Sequence, residues 1–141
     1  MNIYFSCSIT GGRQDQKVYR AIVESLLQAG HQVPTAHLSA ANVLEKETGV
    51  NPSDVYHRDI NWVLGCDALV AEVSTPSHGV GYEIALALFE QKPVFCCYQS
   101  GRPVSKMILG NDSQTLTRYA YHSLEDLIPA LNQFLYTMTK G

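Results

Sequence analysis

Residues 68–89 read ALVAEVSTPSHGVGYEIALALF, and this stretch decides the fold of the chain. Its beginning, residues 68–73, is apolar apart from Glu72, which is typical of a strand buried on both faces of a parallel sheet. Serine, proline and two glycines interrupt the apolar run, and a second apolar run of helical character starts at Ile84. A strand, a glycine-rich turn and a helix follow one another, an arrangement that presents backbone N–H groups to an anion. Glu83 lies at the junction of turn and helix.

The same alternation of strand and helix continues on both sides of this stretch. Short apolar runs bounded by turn residues predict strands, and runs with an apolar face predict helices, the first of which ends at Gly30. The predicted strands cover 2–6, 31–36, 68–73, 93–98 and 115–121, and the predicted helices cover 15–29, 52–64, 81–91, 104–109 and 124–138. Residues 37–53 have no clear period, and we expect a long loop or a partly helical flap there.

Strands and helices that alternate without a repeat or a linker predict one α/β domain over residues 1–141. The expected architecture is a flavodoxin-like or Rossmann-like parallel sheet of five strands, in the order 2-1-3-4-5, with helices on both faces. Ligands of such sheets bind beyond the carboxyl ends of the strands, where the strand order reverses. Loops 7–13 and 74–81 leave the two strands that flank this point. We therefore expect these loops to face each other across one crevice.

Composition excludes several classes of function. The chain is 45% hydrophobic and 16% charged, as in globular rather than disordered proteins. The formal net charge is −3 and no Lys/Arg cluster exceeds two residues, which argues against a nucleic-acid groove. No apolar run approaches the roughly 20 residues of a membrane span, and no signal peptide is apparent. We expect a protein of the cytoplasm, or of the nucleus in a eukaryote, with neither nucleic acid nor membrane as partner.

The cysteines and histidines do not indicate a metal or a disulfide. Cys7, Cys66, Cys96 and Cys97 form no C-x-x-C pair, and the five histidines lack the spacing of metal ligands. Structural thiols in a reducing compartment are the expectation. We predict neither a metal site nor a cofactor.

The loop after the first strand, Ser8-Ile9-Thr10-Gly11-Gly12-Arg13, combines hydroxyls, two glycines and a cation. Glycine lets the backbone approach a ligand closely, and the N-terminus of the helix that follows favours negative charge. Phosphate binding and a plain β–α turn both fit this segment. The P-loop pattern is absent, and Gly79-Val80-Gly81 lacks the third glycine of a dinucleotide fingerprint.

Two carboxylates are candidates for chemistry on a bound ligand. Apolar neighbours of Glu83 favour a buried helix whose carboxylate points into the crevice, although acidic residues in first helical turns also serve only to complement the dipole. Asp59 falls inside a predicted helix, where aspartate has poor propensity. It either pairs at the surface with Arg58 or His57, or faces the crevice. Two carboxylates that flank one ligand, one as nucleophile and one as proton donor, suit glycosidic cleavage.

Three separated motifs resemble the nucleoside 2-deoxyribosyltransferase superfamily, and within it the 2'-deoxynucleoside 5'-phosphate N-hydrolases. The motifs are residues 4–13, residues 59–62 and residues 71–83, and the similarity continues through residues 100–108. The resemblance implies hydrolysis of the N-glycosidic bond of 2'-deoxynucleoside 5'-monophosphates. Free base and 2-deoxyribose 5-phosphate would be the products.

The resemblance also implies a role for each candidate residue. Glu83 would be the nucleophile that forms a covalent deoxyribosyl-enzyme, and Asp59 would be the acid that protonates the departing base. Tyr4 would hydrogen-bond to the nucleophile and orient it. Ser105 would complete the site of a neighbouring subunit, which implies a homodimer. The other residues implied to contact the nucleotide are Ser8, Ile9, Thr10, Gly11, Gly12, Arg13, Ser77 and Gly79, with His37 near the sugar and base.

The phosphate loop departs from the family's common pattern, Gly-Ser-Ile-Arg-Gly-Gly-Arg. Cys7 and Thr10 replace its first glycine and first arginine. Loss of that cation would weaken phosphate binding by about 1.5–3 kcal/mol, as for other hydrogen bonds to charged groups, unless Lys106 or Arg13 replaces it.

Three other functions stay open at this point. They are a deoxyribosyltransferase acting on unphosphorylated nucleosides, a ribonucleotide N-glycosidase of the CMP type and a non-catalytic nucleotide sensor. The C-terminal residues 138–141 do not fit the Asn-type tail of the transferases. The joint presence of Asp59 and Glu83 favours catalysis over sensing.

Overall fold

A computed structural model describes residues 1–9 and 14–141. Its sheet has four parallel strands in the order β1-β2-β3-β4, which are Ile3–Ser6, Ala68–Glu72, Val94–Gln99 and Leu116–Tyr121. The helices of the described residues are α1 Gln16–Gln28, the 3₁₀ helix Ala36–Ser39, α2 Val43–Thr48, α3 Pro52–Gly65, α4 His78–Phe89, α5 Lys106–Leu109 and α6 Leu124–Thr139.

The prediction of five strands is wrong, because residues 31–36 form no strand. Only Gln32 keeps the pairing, as a single parallel bridge to Asn2. Pro34 has no N–H group for a further ladder bond, and the chain then enters the 3₁₀ helix at Ala36. The order 2-1-3-4-5 is therefore wrong as well. Without the missing strand the observed order is 1-2-3-4, and the four strands that form keep the relative positions that we expected.

Helices cover both faces of the sheet, as predicted. Alternate residues of β1 divide between the two helical layers, since Ile3 and Phe5 pack with α1 and α6 whereas Tyr4 packs with α3 and α4. The α1–α6 layer buries Tyr19, Ile22, Leu26, Leu127, Leu131 and Leu135, and the α3–α4 layer buries Val63, Val80, Ile84, Ala87 and Leu88.

Residues 36–51, which we call the flap, are partly helical, in agreement with one of the two conformations expected for 37–53. Leu38 and Val43 are buried and anchor the flap to the α1–α6 layer. Asn51 ends the flap and caps α3, because its Oδ1 accepts a hydrogen bond from the backbone N–H of Ser53 at 2.8 Å. The flap is thus fastened at both ends, next to the first turn of α3.

All four cysteines are buried thiols. Burial raises the pKa of the Cys66 thiol to about 11, which keeps it in the unreactive protonated form. Among the helices described, none is long and apolar enough to cross a membrane. The described residues also contain no group of three or more His, Cys, Asp or Glu side chains that could hold a metal ion.

Candidate active site

Helix α4 carries Glu83 and begins at His78, earlier than the predicted start at Gly81. Ser77 is its N-cap, because Ser77 Oγ accepts a hydrogen bond from the N–H of Val80 at 3.4 Å. Glu83 consequently lies in the second helical turn and faces the carboxyl end of β1. There Ser6 Oγ lies 3.5 Å from Glu83 Oε1. The carboxyl end of β1 therefore lies beside α4 at Glu83.

The carboxyl group of Glu83 has little polar compensation. Its Oε1 has only the long contact with Ser6, and its Oε2 is buried and makes no hydrogen bond with the described residues. Burial raises the pKa of Glu83 to about 8, because the charged form loses water without gaining strong partners. Once ionised, such a carboxylate keeps its lone pairs available for an electrophile.

Glu83 and Asp59 line the same cavity, which has a volume of about 280 Å³. Helix α4 supplies one carboxylate and α3 supplies the other. Gly79 keeps the space beside Glu83 open, since a Cβ at this position would lie 3.8 Å from Glu83 Oε1 and 3.9 Å from Ser77 Oγ. The remaining lining residues are Tyr56, Ile60, His78 and Tyr82.

Asp59 combines the two arrangements that the sequence left open. Its Oδ1 accepts a hydrogen bond from Arg58 Nε at 2.8 Å, which is the surface pairing. Its side chain is 23% exposed and also lines the cavity with Glu83, which is the crevice arrangement. The second oxygen, Oδ2, makes no hydrogen bond within residues 1–9 and 14–141.

Tyr4 is fully buried in the same core cluster as Val80 and Ile84 of α4. Its hydroxyl makes no hydrogen bond with any described residue. The orienting role of Tyr4 therefore stays a prediction, and the polar contact that the structure does show for Glu83 comes from Ser6. Ser6 was not predicted as a site residue from the sequence. Side chains alternate between the two faces along β1, however, so that Ser6 lies on the same face as Tyr4.

The other residues predicted to contact the nucleotide do not all lie in one part of the structure. Ser8 is fully buried, and Ile9 packs against the α1–α6 layer. Thr10, Gly11, Gly12 and Arg13 lie outside the described residues. His37 lies in the flap and does not line the cavity with Glu83 in the part of the chain described here.

His37 instead belongs to a cluster between the flap and α3. Its Nε2 donates a hydrogen bond to Glu47 Oε1 at 2.7 Å, and its ring meets Trp62 edge-on with 6.2 Å between the ring centroids. Arg58 Nη2 donates to the same oxygen of Glu47 at 3.1 Å. Glu47 was not predicted from the sequence, because the flap has no periodic pattern of apolar residues that would indicate where its side chains point.

A larger cavity of about 650 Å³ lies on the other side of α4, and Ser77 and Ser105 line it. Ser105 is the N-cap of α5, where its Oγ accepts a hydrogen bond from the N–H of Met107 at 3.2 Å. Helix α4 lines this cavity with Val80, Gly81, Ile84, Ala85 and Leu88, and its first residue, His78, lines both cavities. Within one chain, Ser105 and Glu83 therefore face different cavities.

An ion pair that the sequence analysis did not identify joins three loops at the carboxyl edge of the sheet. Arg102, which follows β3, donates from Nη1 to Asp15 Oδ1 at 3.1 Å and from Nη2 to the carbonyl oxygen of Ser74 at 3.1 Å. Thr75 Oγ1 donates to Asp15 Oδ2 at 2.8 Å. Asp15 is the N-cap residue of α1, whereas Ser74 and Thr75 follow β2. No local pattern indicates a pair of residues 87 positions apart.

Relatives align with this sequence over most of its length. The nucleoside 2-deoxyribosyltransferase family matches residues 3–128. A 5-hydroxymethyl-dUMP N-hydrolase of Danio rerio is 37% identical over 144 aligned positions, which cover 100% of both chains. A Methanosarcina barkeri protein provisionally named 2'-deoxynucleoside 5'-phosphate N-hydrolase 1 is 38% identical over 136 residues, which cover 96% of this chain and 86% of that protein.

Solved structures share the fold at lower identity. The CMP N-glycosidase of Clostridium botulinum is 16% identical, with a TM-score of 0.72 over 94% of this chain and 99% of that chain. A 2-deoxyribosyltransferase of Bacillus psychrosaccharolyticus is also 16% identical, with a TM-score of 0.64 over 91% of this chain and 90% of that chain. The family resemblance of the three motifs is thereby confirmed, and the chain belongs to the nucleoside 2-deoxyribosyltransferase family.

Proposed function

We propose that this protein hydrolyses the N-glycosidic bond of 2'-deoxynucleoside 5'-monophosphates and releases the free base and 2-deoxyribose 5-phosphate. The observation that carries the proposal is the presence of two carboxylates, Glu83 and Asp59, in the walls of one cavity. The relatives named above as N-hydrolases support the same reaction and the same class of substrate.

The proposed reaction consists of two displacements at the anomeric carbon, C1'. In the first, the Glu83 carboxylate forms a bond to C1' while the bond from C1' to the base breaks. The electron pair of that bond passes to the base, which takes a proton from Asp59. In the second, Asp59 accepts a proton from water, and the resulting hydroxide attacks C1' and releases the Glu83 carboxylate. The two displacements retain the configuration at C1'.

The surroundings of the two carboxylates suit these different roles. Asp59 becomes negative in the first displacement, and Arg58 donates a hydrogen bond that stabilises this charge. Glu83 starts negative and becomes a neutral ester, so that its apolar and weakly hydrogen-bonded surroundings favour the product of attack. One cavity thus contains a poorly solvated nucleophile and an acid with a cationic neighbour.

The N-terminus of α4 is the proposed site for the 5'-phosphate. Gly79 and Ser77 lie in its first turn and N-cap, where backbone N–H groups and the helix dipole favour an anion. Ser8, Ile9, Thr10, Gly11, Gly12 and Arg13 are proposed to contact the same group from the loop after β1. His37 is proposed to act near the sugar and base.

A substrate panel tests the reaction. The purified protein is incubated with deoxynucleoside monophosphates including 5-hydroxymethyl-dUMP, with ribonucleoside monophosphates, and with deoxynucleosides in the presence and absence of an acceptor base. Released bases are separated by chromatography. We expect base release from the deoxynucleoside monophosphates only. Base exchange on unphosphorylated deoxynucleosides, or release from ribonucleotides alone, would contradict the proposal.

The same panel tests the nucleophile with a matched pair of variants. We expect Glu83→Ala to abolish base release while a deoxynucleoside monophosphate still binds in calorimetry. Glu90→Ala is the control, since Glu90 is an exposed glutamate at the end of the same helix. Near-normal rates in Glu83→Ala would show that the nucleophile is another residue.

We also propose that the protein is a homodimer in which Ser105 completes the site of the partner. Ser105 and Glu83 face different cavities of one chain, so that Ser105 reaches a Glu83 site only in a second chain. The surface near Ser105 is apolar, with Phe89 85% exposed and Met107 83% exposed. Gly81, Ala85 and Phe89 follow one another at the spacing of a helical face. Apolar side chains clustered on a surface favour association with a second molecule.

A further inference from the structure

We propose that Glu47 is a positioning residue that fixes the Asp59 carboxyl group through Arg58, so that the flap takes part in protonating the departing base. This inference rests on the proposed function. It concerns a side chain that does not line the cavity and lies on a segment separate from both catalytic helices.

The first observation is the position of Glu47 between two hydrogen-bond donors, His37 and Arg58. Its side chain is 15% exposed, and its Oε1 accepts hydrogen bonds from both His37 and Arg58. Burial opposes ionisation, but the hydrogen bond from His37 and the charge of Arg58 outweigh it, so that the pKa of Glu47 lies below its ordinary value. Glu47 is therefore an anion that connects the flap to α3.

The second observation concerns the unusual direction of the Arg58 side chain. Consecutive residues of a helix do not face each other, so that Arg58 must fold back to donate its Nε to Asp59. Two contacts hold it in this direction. Glu47 accepts from Nη2 at 3.1 Å, and the guanidinium group lies 5.0 Å from the ring centroid of Trp62, one helical turn further along α3.

The third observation is that the two oxygens of Asp59 have different surroundings. Arg58 occupies Oδ1, whereas Oδ2 makes no hydrogen bond with the described residues and is left to carry the proton for the base. Without Glu47 the long Arg58 side chain gains rotational freedom, and the Asp59 carboxyl group loses the contact that fixes it.

The consequence is a defect that depends on the leaving group. A base that needs a proton leaves slowly when Asp59 is misplaced, whereas a base that is already positively charged leaves without one. The test therefore compares Glu47→Gln with wild type on two matched pairs of substrates, dGMP with 7-methyl-dGMP and dUMP with 5-fluoro-dUMP. The second member of each pair has the better leaving group.

We expect Glu47→Gln to lower kcat about tenfold on the ordinary substrate, part of the roughly 10²–10⁴ that general acids contribute, with KM nearly unchanged. On the activated member of the same pair the loss should be less than about threefold. Glu45→Gln is the matched control, since Glu45 is an exposed glutamate of the same short helix, and it should behave as wild type.

Arg58→Lys provides a second variant, because an ammonium group cannot reach both carboxylates as the guanidinium fork does. It should show the same selective loss, and its circular dichroism and melting temperature establish that it is folded. An equal loss on both members of a pair, or no loss on either, would overturn the positioning role. A wild type that releases base from none of the four substrates and from none of the deoxynucleoside monophosphates of the substrate panel would instead overturn the proposed function.

Discussion

Glu83 must be ionised in order to attack, yet its surroundings favour the protonated form. Burial raises its pKa to about 8, so that about a tenth of the free protein holds the carboxylate at pH 7. The same lack of solvation makes the ionised form a stronger nucleophile. Burying a neutral Glu83 also costs less free energy than burying a charged one.

At this scale we predict the pH dependence of kcat/KM, which reports the free protein. On a substrate whose base leaves without a proton from Asp59, the value should rise about tenfold per pH unit as Glu83 loses its proton and should level off near pH 8. The substrate phosphate titrates near pH 6, so that the slope is read between about pH 6.5 and 8. Rates are measured at constant ionic strength.

The control for this assignment is Ser6→Ala, since Ser6 provides the hydroxyl nearest to Glu83. Its loss should move the rise in kcat/KM to higher pH. A profile that is flat from pH 6.5 to 8 would show that another group controls the rate.

Glu72 shows that the sequence around a glutamate does not reveal whether its side chain faces a cavity. Like Glu83 it is an acidic residue among apolar neighbours, and burial raises its pKa to about 7. However, Glu72 is fully buried at the end of β2, where its Oε1 accepts a hydrogen bond from the N–H of Ser74. Local sequence marks both glutamates as unusual, but only the packing of α4 shows which one faces a cavity.

At the scale of the elements, the Arg102 ion pair joins the loops that follow β1, β2 and β3. Arg102 contacts Asp15 with both terminal nitrogens, and Asp15 lies two positions after Arg13, the last residue of the loop predicted to bind phosphate. Asp15 is 8% exposed, so that removing this partner would leave a buried carboxylate without its cation. The pair therefore fixes the start of α1 against the turn that follows β2.

We predict that Arg102→Lys lowers the free energy of unfolding by about 1–2 kcal/mol, because lysine retains the charge but loses the fork of hydrogen bonds. KM for the nucleotide should rise more than kcat falls, since the loops move but the two carboxylates do not. Urea denaturation and steady-state kinetics measure the two effects. Arg20→Lys, an exposed arginine of α1, is the control. Unchanged stability and KM in Arg102→Lys would contradict this role.

The elements themselves were largely predictable. Helix α3, helix α6 and the strands β2, β3 and β4 formed near their predicted positions, because their apolar periods and caps are local features. The strand predicted over 31–36 failed, since its apolar run was short and Pro34 limited its pairing. The sequence suggested that the flap is partly helical but did not show where its helices lie, because residues 37–53 lack a periodic pattern of apolar residues.

At the scale of the whole molecule, the exposed face of α4 and α5 is the proposed dimer interface. Ala85 lies on this face and lines the larger cavity. We predict that Ala85→Glu produces a monomer, because burying an unpaired carboxylate costs several kcal/mol. KM should also rise, since Ser105 of the partner no longer reaches the site. Sedimentation velocity and kinetics measure these changes.

Ala29→Glu is the matched control for the interface, because Ala29 is an exposed alanine at the end of α1, on the opposite layer. It should leave both the mass and KM unchanged. A wild-type protein that sediments as a monomer would contradict the dimer, and a monomeric Ala85→Glu with normal KM would contradict the role of Ser105.

By itself the sequence determined the family and the α/β class, because apolar periods and family motifs are both readable along the chain. Only the tertiary structure decided that Asp59 and Glu83 share a cavity, that Ser105 lies across α4 from Glu83, and that Glu47 reaches Asp59 through Arg58. Each of these relations depends on how α3, α4 and the flap pack against the sheet. Packing brings together residues that are distant in the chain, and their spacing in the sequence does not show which of them will be in contact.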